Sequence, residues 1–323
     1  MSHAPSILVT GATGLIGREI LACLAADPGV GRIRILARAR PAARRLWPHR
    51  RRMEVVWGDL RRPEDVARAV DGVDVVLHAG AIIPPLADHH PDLADATNVD
   101  GTANVVNALV ARKQPGRLIY TSSISLYGDR LAQPWIRRDD PLTPSPGDHY
   151  ATTKLRAEGL IRASGVPATI LRLAAIIGPS IRPNPLMFHM PLDTKLEVCS
   201  SRDCGYALTQ LIHHPEVAGR TFNLGGGERM RTTYREFVHT LFDVFGLGKD
   251  LLPESAFATK DFHCGYYEDA GELDAVTHHH RDSLEDLYGL FRAGWPTPLR
   301  LLTRLGRPVA RRVLLAQSHV YQA

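Results

Sequence analysis

Over the first 180 residues, short apolar runs alternate with segments of helical period. Residues 6–10 form an apolar run that ends in glycines, and residues 32–36 alternate as a second strand. Residues 54–57, 73–78, 117–121 and 168–173 read as four further strands. Between them, residues 15–26, 63–70, 94–113 and 150–164 repeat their apolar positions with helical spacing. Strands alternating with helices predict an α/β fold, a doubly wound parallel sheet that binds ligands at the carboxyl ends of its strands.

Past Gly178 and Pro179 the alternation fades. Residues 1–178 are expected to form a dinucleotide-binding domain, with 201–224 returning to it and 221–224 as a last strand. Residues 179–200 and 225–323 are expected to form a smaller cap that selects substrate. Pro183, Pro185, Leu186, Met187, Phe188 and Met190 offer the cap an apolar lining. The alternative is simple packing of the cap onto the sheet.

Composition adds a charge distribution. The formal charge is only +5, yet residues 32–62 hold eleven Arg against Glu54 and Asp59. Residues 296–323 hold five Arg and no acid. So uneven a pattern excludes a uniformly basic nucleic-acid binder and points to local uses of positive charge. No apolar run reaches the ~18–20 residues a bilayer crossing needs. The first residues lack a signal-peptide pattern, and four scattered cysteines make no disulfide framework, so a cytoplasmic location is expected. Metal is expected to be absent: Cys199 and Cys204 have no second pair nearby, and His278, His279 and His280 are read as solvated or capping residues. In the tail, Leu299, Leu302, Leu305, Val309, Val313 and Leu315 alternate with arginines. Pro308 interrupts the pattern, which favours a terminal helix packed on the core and disfavours membrane contact.

Candidate chemistry starts where the first strand runs into Gly11, Gly14 and Gly17, spaced by three before a helix. Glycines there permit a tight turn and close backbone approach to a pyrophosphate, which the helix N-terminus attracts. No acid occurs from Arg32 through Met53, so the usual carboxylate for a ribose 2′-hydroxyl is missing. Arg38 is positioned to pair with a 2′-phosphate, with Arg40, Arg44 or Arg45 as helpers. NADP(H) is therefore preferred, NAD(H) remaining possible. The alternative for these arginines is a solvated face. Asp59 follows the third strand where adenine would rest, or it caps the next helix. Ala79, Gly80 and Ala81 are small enough to let a cofactor pass close to the backbone.

Ser122 and Ser123 end the fifth strand, and Tyr150 and Lys154, four apart, share one helical face. An ammonium beside a phenol stabilises the phenolate and equips it for proton transfer at a carbonyl or alcohol oxygen.

With these pieces in order, the chain resembles an extended short-chain dehydrogenase/reductase, the superfamily of nucleotide-sugar epimerases, dehydratases and 3β-hydroxysteroid dehydrogenases. The residues that carry the resemblance are TGATGLIG (10–17), GDL (58–60), HAGA (78–81), NVDGTANV (98–105), YTSSISLYG (120–128), YATTK (150–154) and FNLGGG (222–227). The resemblance implies that Tyr150 is the general acid/base, that Lys154 holds the nicotinamide ribose, and that Ser123 bonds the substrate oxygen. It implies that Asn98 lies near the site and orders a relay water, unless it is a cap or turn residue. It also brings Thr13, Leu15, Ile16, Leu60, Thr121 and Ala174 into the cofactor contact set. Dehydratases of this kind carry acids where this chain has Ile124 and Ser125, and epimerases an Asn where it has Ala175. These departures favour a reductase or alcohol dehydrogenase for a small, rather apolar substrate. An epimerase, or a non-catalytic NADP-binding sensor, is the alternative. No partner beyond the small-molecule substrate is expected, save a homodimer such as many relatives form.

Overall fold

The computed structural model describes residues 4–38, 53–114, 116–179, 184–260 and 262–321. Strands β1 (Ile7–Thr10), β2 (Ile33–Ala37), β3 (Met53–Trp57), β4 (Val75–His78), β5 (Arg117–Ser123), β6 (Ala168–Leu173) and β7 (Thr221–Leu224) form one parallel sheet. Its order is β7-β6-β5-β4-β1-β2-β3. The chain starts at the centre, winds out to β3 and crosses back to β4. The turns leaving β1 and β4 therefore diverge and open a crevice at their carboxyl ends.

Side chains alternate across the sheet because the strand period is two. Ile7, Val9, Ile33 and Ile35 face α1 (Leu15–Ala26), whose Ile20, Leu21 and Leu24 complete that layer. Leu8, Leu36, Val76 and Leu118 face the other way, onto α2 (Pro63–Val70), α3 (Gly101–Val110) and α4 (His149–Ala163). Pro63 occupies the first turn of α2, where its missing N–H costs nothing, and Glu64 and Asp65 suit the positive helix end. Helix α5 (Ser201–Gln210) lies against α1 so tightly that a Cβ on Gly205 would sit 2.5 Å from Glu19 Cβ.

The helix expected over 94–113 is broken up. A short helical turn at Pro91–Ala94 is followed by a π-helical stretch, Asp95–Asp100, before α3. The wider π turn re-aims one residue, Asn98, into the interior.

The C-terminal region has its own core. Helices α6 (Tyr234–Val244), α7 (Ala270–Thr277), α8 (Leu284–Gly294), α9 (Thr297–Leu305) and α10 (Arg307–Leu315) follow β7. Phe188, Met230, Phe237, Leu241, Leu287 and Phe291 pack together, joined by Met187 and Met190. Of the apolar segment expected to line a pocket, Phe188, Met187 and Met190 pack into this core, Leu186 lines a cleft, Pro185 is exposed, and Pro183 lies outside the described residues. The histidine run is split: His278 is exposed and caps the helix end as expected, and His280 is half-buried. His278 ends α7 with a left-handed φ of 52°, while His279 is fully buried between Thr277 Oγ1 (2.7 Å) and Gly225 O (3.0 Å). Among the described residues, no helix is long and apolar enough to cross a membrane.

Candidate active site

The β1–α1 turn and the β4 end meet at van der Waals limits. Gly11 has φ +71°, and a Cβ there would lie 2.6 Å from the Ala79 carbonyl carbon and Gly80 N. A Cβ on Gly17 would stand 2.2 Å from Gly11 O. Gly14 is different: its Cβ would meet only Gly11 O, at 3.2 Å, so its backbone is bare toward the crevice. Gly11, Ala12, Thr13, Gly14, Leu36, Ala37, Arg38, Asp59, Leu60, Arg61, Ala79, Gly80 and Ala81 line a cleft of about 780 Å³, counted with its open mouth. A cradle walled by backbone and closed to side chains fits a dinucleotide pyrophosphate, with the α1 N-terminus beneath it.

Arg38 follows the end of β2 on the cleft rim and is exposed, and its charge helps to lower the Asp59 carboxyl. Arg40, Arg44 and Arg45 lie outside the described residues. Asp59 is held by Arg61, whose Nε and Nη2 donate at 3.0 and 2.8 Å. Those bonds keep its carboxyl below the ordinary range. Arg61, not anticipated from the sequence, lines the same cleft as Arg38. Leu60 packs under Gly80, where a Cβ would come within 2.8 Å of its Cδ1. Leu15 and Ile16 open α1, with Leu15 against Gly178. Ala174, buried just past β6, donates its N–H to Leu224 O at 2.9 Å.

A buried hydrogen-bond chain locks the β4 end. The Gly80 N–H donates to Thr10 Oγ1 (3.2 Å), which lies 2.6 Å from His78 Nδ1. On the other side His78 Nε2 lies 3.0 Å from Thr102 Oγ1, which donates to Asn98 O at 2.6 Å. With Thr102 already donating, consistency places the ring proton on Nε2. Burial pushes His78 down to about 3, with Lys154 adding to the effect, so the ring stays neutral. The Asn98 side chain accepts from Ile82 N (2.7 Å) and donates to Ile82 O (2.9 Å) and Thr153 Oγ1 (3.0 Å). Both its amide hydrogens are spent, which leaves no donor for a relay water. Asn98 instead ties the β4 loop to α4, where Thr153 Oγ1 donates to Tyr150 O at 2.7 Å.

The structure brings Ser123, Tyr150 and Lys154 together. Asp148 starts α4 by accepting from Ala151 N at 2.8 Å, which sets the helical phase of Tyr150 and Lys154. Lys154 Nζ donates to Thr121 O at 2.7 Å and stands 5.9 Å from the Tyr150 ring centre and 4.7 Å from that of Tyr120. Burial drives Lys154 down to about 7, against the pull of Glu158. Burial also drives the Tyr150 phenol well above its ordinary range, against the Ser123 hydroxyl beside it. Ser123 Oγ in turn accepts from Ser125 N and Oγ at 3.1 and 2.9 Å. Beneath the site, Arg172 Nε and Nη2 clasp Glu158 at 3.0 and 2.9 Å, and Arg172 Nη1 donates to Tyr127 Oη at 2.9 Å.

A second cleft opens beyond Tyr150, about 1500 Å³ with its mouth. One part of its wall is apolar: Ile83, Pro84, Leu186 and Phe262. The rest carries Asp88, Asp148, His189, Lys260, His263 and His319. Asp88 is pushed up by burial and then by Asp148. His189 and His319 rings stand 4.2 Å apart. None of these polar groups was singled out from sequence. Asp148 was legible as an N-cap before a helix, but His319 arrives from far along the chain with no local signal.

Residues 7–194, more than half of the chain, match the sequence profile of the NAD dependent epimerase/dehydratase family. The chain belongs to that family, among the extended short-chain dehydrogenases/reductases, whose members are NAD-dependent enzymes. It is 28% identical over 253 residues to the uncharacterized UDP-glucose epimerase YtcB of Bacillus subtilis, covering 69% of this chain and 77% of that one. It is 30% identical over 161 residues to human 3 beta-hydroxysteroid dehydrogenase type 7, covering 48% of this chain and 43% of that one. The match thus spans most of one curated relative and under half of the other. In fold it is similar to a dTDP-glucose 4,6-dehydratase from Streptomyces venezuelae solved with NAD (TM-score 0.73, 23% identity, 91% of this chain and 99% of that one).

Proposed function

We propose that the protein is an NADP-dependent reductase or alcohol dehydrogenase, exchanging hydride with a carbonyl or secondary alcohol. The observation that carries this reading is the trio of Ser123, Tyr150 and Lys154 brought together by β5 and α4, with Ile124 and Ser125 standing where an eliminating enzyme needs acids. When bound, the nicotinamide supplies or accepts the hydride. Tyr150, neutral at rest, donates its proton to the substrate oxygen. Ser123 holds that oxygen by a hydrogen bond, and the Lys154 ammonium, oriented by Thr121 O, stabilises the phenolate left behind. Arg38 on the cleft rim, with no acid on β2 to oppose it, supports the choice of NADP. The mixed wall of the outer cleft suits a substrate with an apolar body and polar groups at its edge.

The test is a cofactor-stripped preparation titrated by fluorescence with NADPH and NADH, followed by turnover of ketones and aldehydes. Tighter NADPH binding and turnover lost in Tyr150→Phe support the proposal. Tighter NADH binding removes the Arg38 assignment. Interconversion of a UDP-sugar without net cofactor consumption replaces the reductase by an epimerase, the activity in the name of the Bacillus relative.

A further inference from the structure

Helices α9 and α10 are held to the C-terminal core by one face only. Leu314 and Leu315 are buried there, and Thr303 accepts from Trp295 Nε1 at 3.0 Å. The opposite face is apolar and in water. Leu301, Leu302, Leu305, Val309 and Val313 are between 53% and 82% exposed. Leu301 and Leu305, like Val309 and Val313, are one helical turn apart, so each pair shares a side of its helix.

Five arginines lie on the two helices: Arg300, Arg304, Arg307, Arg311 and Arg312. Three brace the helices against backbone carbonyls, Arg300 on Asp243, Arg307 on Asp250 and Arg311 on Leu251. None forms an ion pair among the described residues. That leaves Arg304 and Arg312, both exposed, at the margin of a greasy strip, with no ion pair among the described residues. Against the expectation drawn from Pro308, and on the exposure of these aliphatic residues, we propose that the outward face of α9 and α10 docks onto a bilayer surface bearing anionic phospholipid headgroups. The aliphatic residues enter the acyl boundary and the arginines stay at headgroup level. Each helix has nine residues, too short to span, so the pair lies in the plane of the interface. A second copy of the chain fits this surface less well, since pairing it with itself would bring Arg304 and Arg312 of both chains together, and residues 296–323 hold no acid to offset them. A nucleic acid would leave the aliphatic strip unused. The chain continues from α10 through Ser318, whose Oγ donates to Ala256 O at 2.6 Å, straight to His319 in the outer cleft. The docked helices and the substrate entrance are therefore mechanically joined.

Full-length protein is sedimented with vesicles of phosphatidylcholine alone or of phosphatidylcholine mixed with phosphatidylglycerol. Binding to the mixed vesicles is expected to be stronger by roughly tenfold or more, and to weaken as salt is raised. Leu305→Asp combined with Val309→Asp should abolish binding while the circular dichroism and melting curve stay as in the wild type. Arg304→Glu with Arg312→Glu should remove the preference for anionic vesicles. Absent binding, or equal binding to both vesicles, overturns the proposal. So does a dimer in sedimentation velocity that the aspartate variant dissolves, which would assign the face to a second copy.

Discussion

Lys154 Nζ donates to the carbonyl oxygen of Thr121 at 2.7 Å, so the ammonium is fixed by the strand that also carries Ser123. One of its three hydrogens is committed to that carbonyl, and the buried ammonium stands beside the Tyr150 ring. Tyr150→Phe should lower turnover by roughly 10²–10⁴-fold with little change in cofactor affinity. Because burial lowers Lys154 to about 7, its charge is present below that pH and lost above it. Reductive kcat/KM should therefore fall as pH rises through about 7. A flat profile from pH 6 to 9 would remove Lys154 from the proton-transfer step.

Arg38 offers a direct reading of cofactor choice. Arg38→Ala should weaken NADPH binding by about tenfold or more, the worth of one or two charged hydrogen bonds. NADH binding should change less than about twofold. Paired fluorescence titrations on both proteins check this.

The glycine loop gives two substitutions with opposite signatures. Gly11→Ala forces a left-handed backbone on alanine, costing about 1–3 kcal/mol, and adds a clash with the Ala79 backbone. Its melting temperature should drop. Gly14→Ala meets only Gly11 O and should keep its stability within about 1 kcal/mol. The same variant should bind NADPH poorly, because its Cβ occupies the pyrophosphate side. Loss of stability without loss of binding in Gly14→Ala would contradict the cradle.

The buried Arg172–Glu158 pair anchors α4 to β6. Burial alone would raise the Glu158 carboxyl, but the Arg172 hydrogen bonds and charge hold it below the ordinary range. Arg172→Met should cost about 3 kcal/mol, the low end for stranding a buried charge. Arg162, which reaches the same carboxylate at 3.2 Å, relieves part of the loss. Stability from a depressed carboxyl is present above its unfolded pKa and lost as pH falls through the folded one. The deficit of the variant in chemical denaturation should therefore shrink as the medium is acidified.

Most of the sheet was legible because its strands are short, apolar and bounded by glycines or charged turns. The runs at 168–173 and 221–224 coincide with β6 and β7. The helix over 94–113 was read too smoothly: hydrophobic period does not register one extra residue in a turn, and that residue re-aims Asn98. Tyr150, Lys154 and Ser123 were legible from motif and position. Arg61 was not, since its role depends on reaching back two residues to Asp59. The outer cleft was hidden for a stronger reason. Asp88, His189, Lys260 and His319 come from four distant segments, and only tertiary packing makes them neighbours. The apolar stretch around Phe188 was legible only in part, Leu186 lining the cleft and Phe188 the core, because a buried core and a pocket lining need the same residue types.

The edge position of β7 bears on how the chain can be divided. The stretch that matches the family ends at residue 194, before α5 and β7. A fragment cut there would leave β6 with an unpaired backbone edge and would strip from α1 the helix that packs on it at Glu19. Such an edge templates cross-chain pairing. The smallest autonomous unit is therefore longer than the family signature, and expression of the signature alone should yield inclusion bodies rather than a cofactor-binding domain.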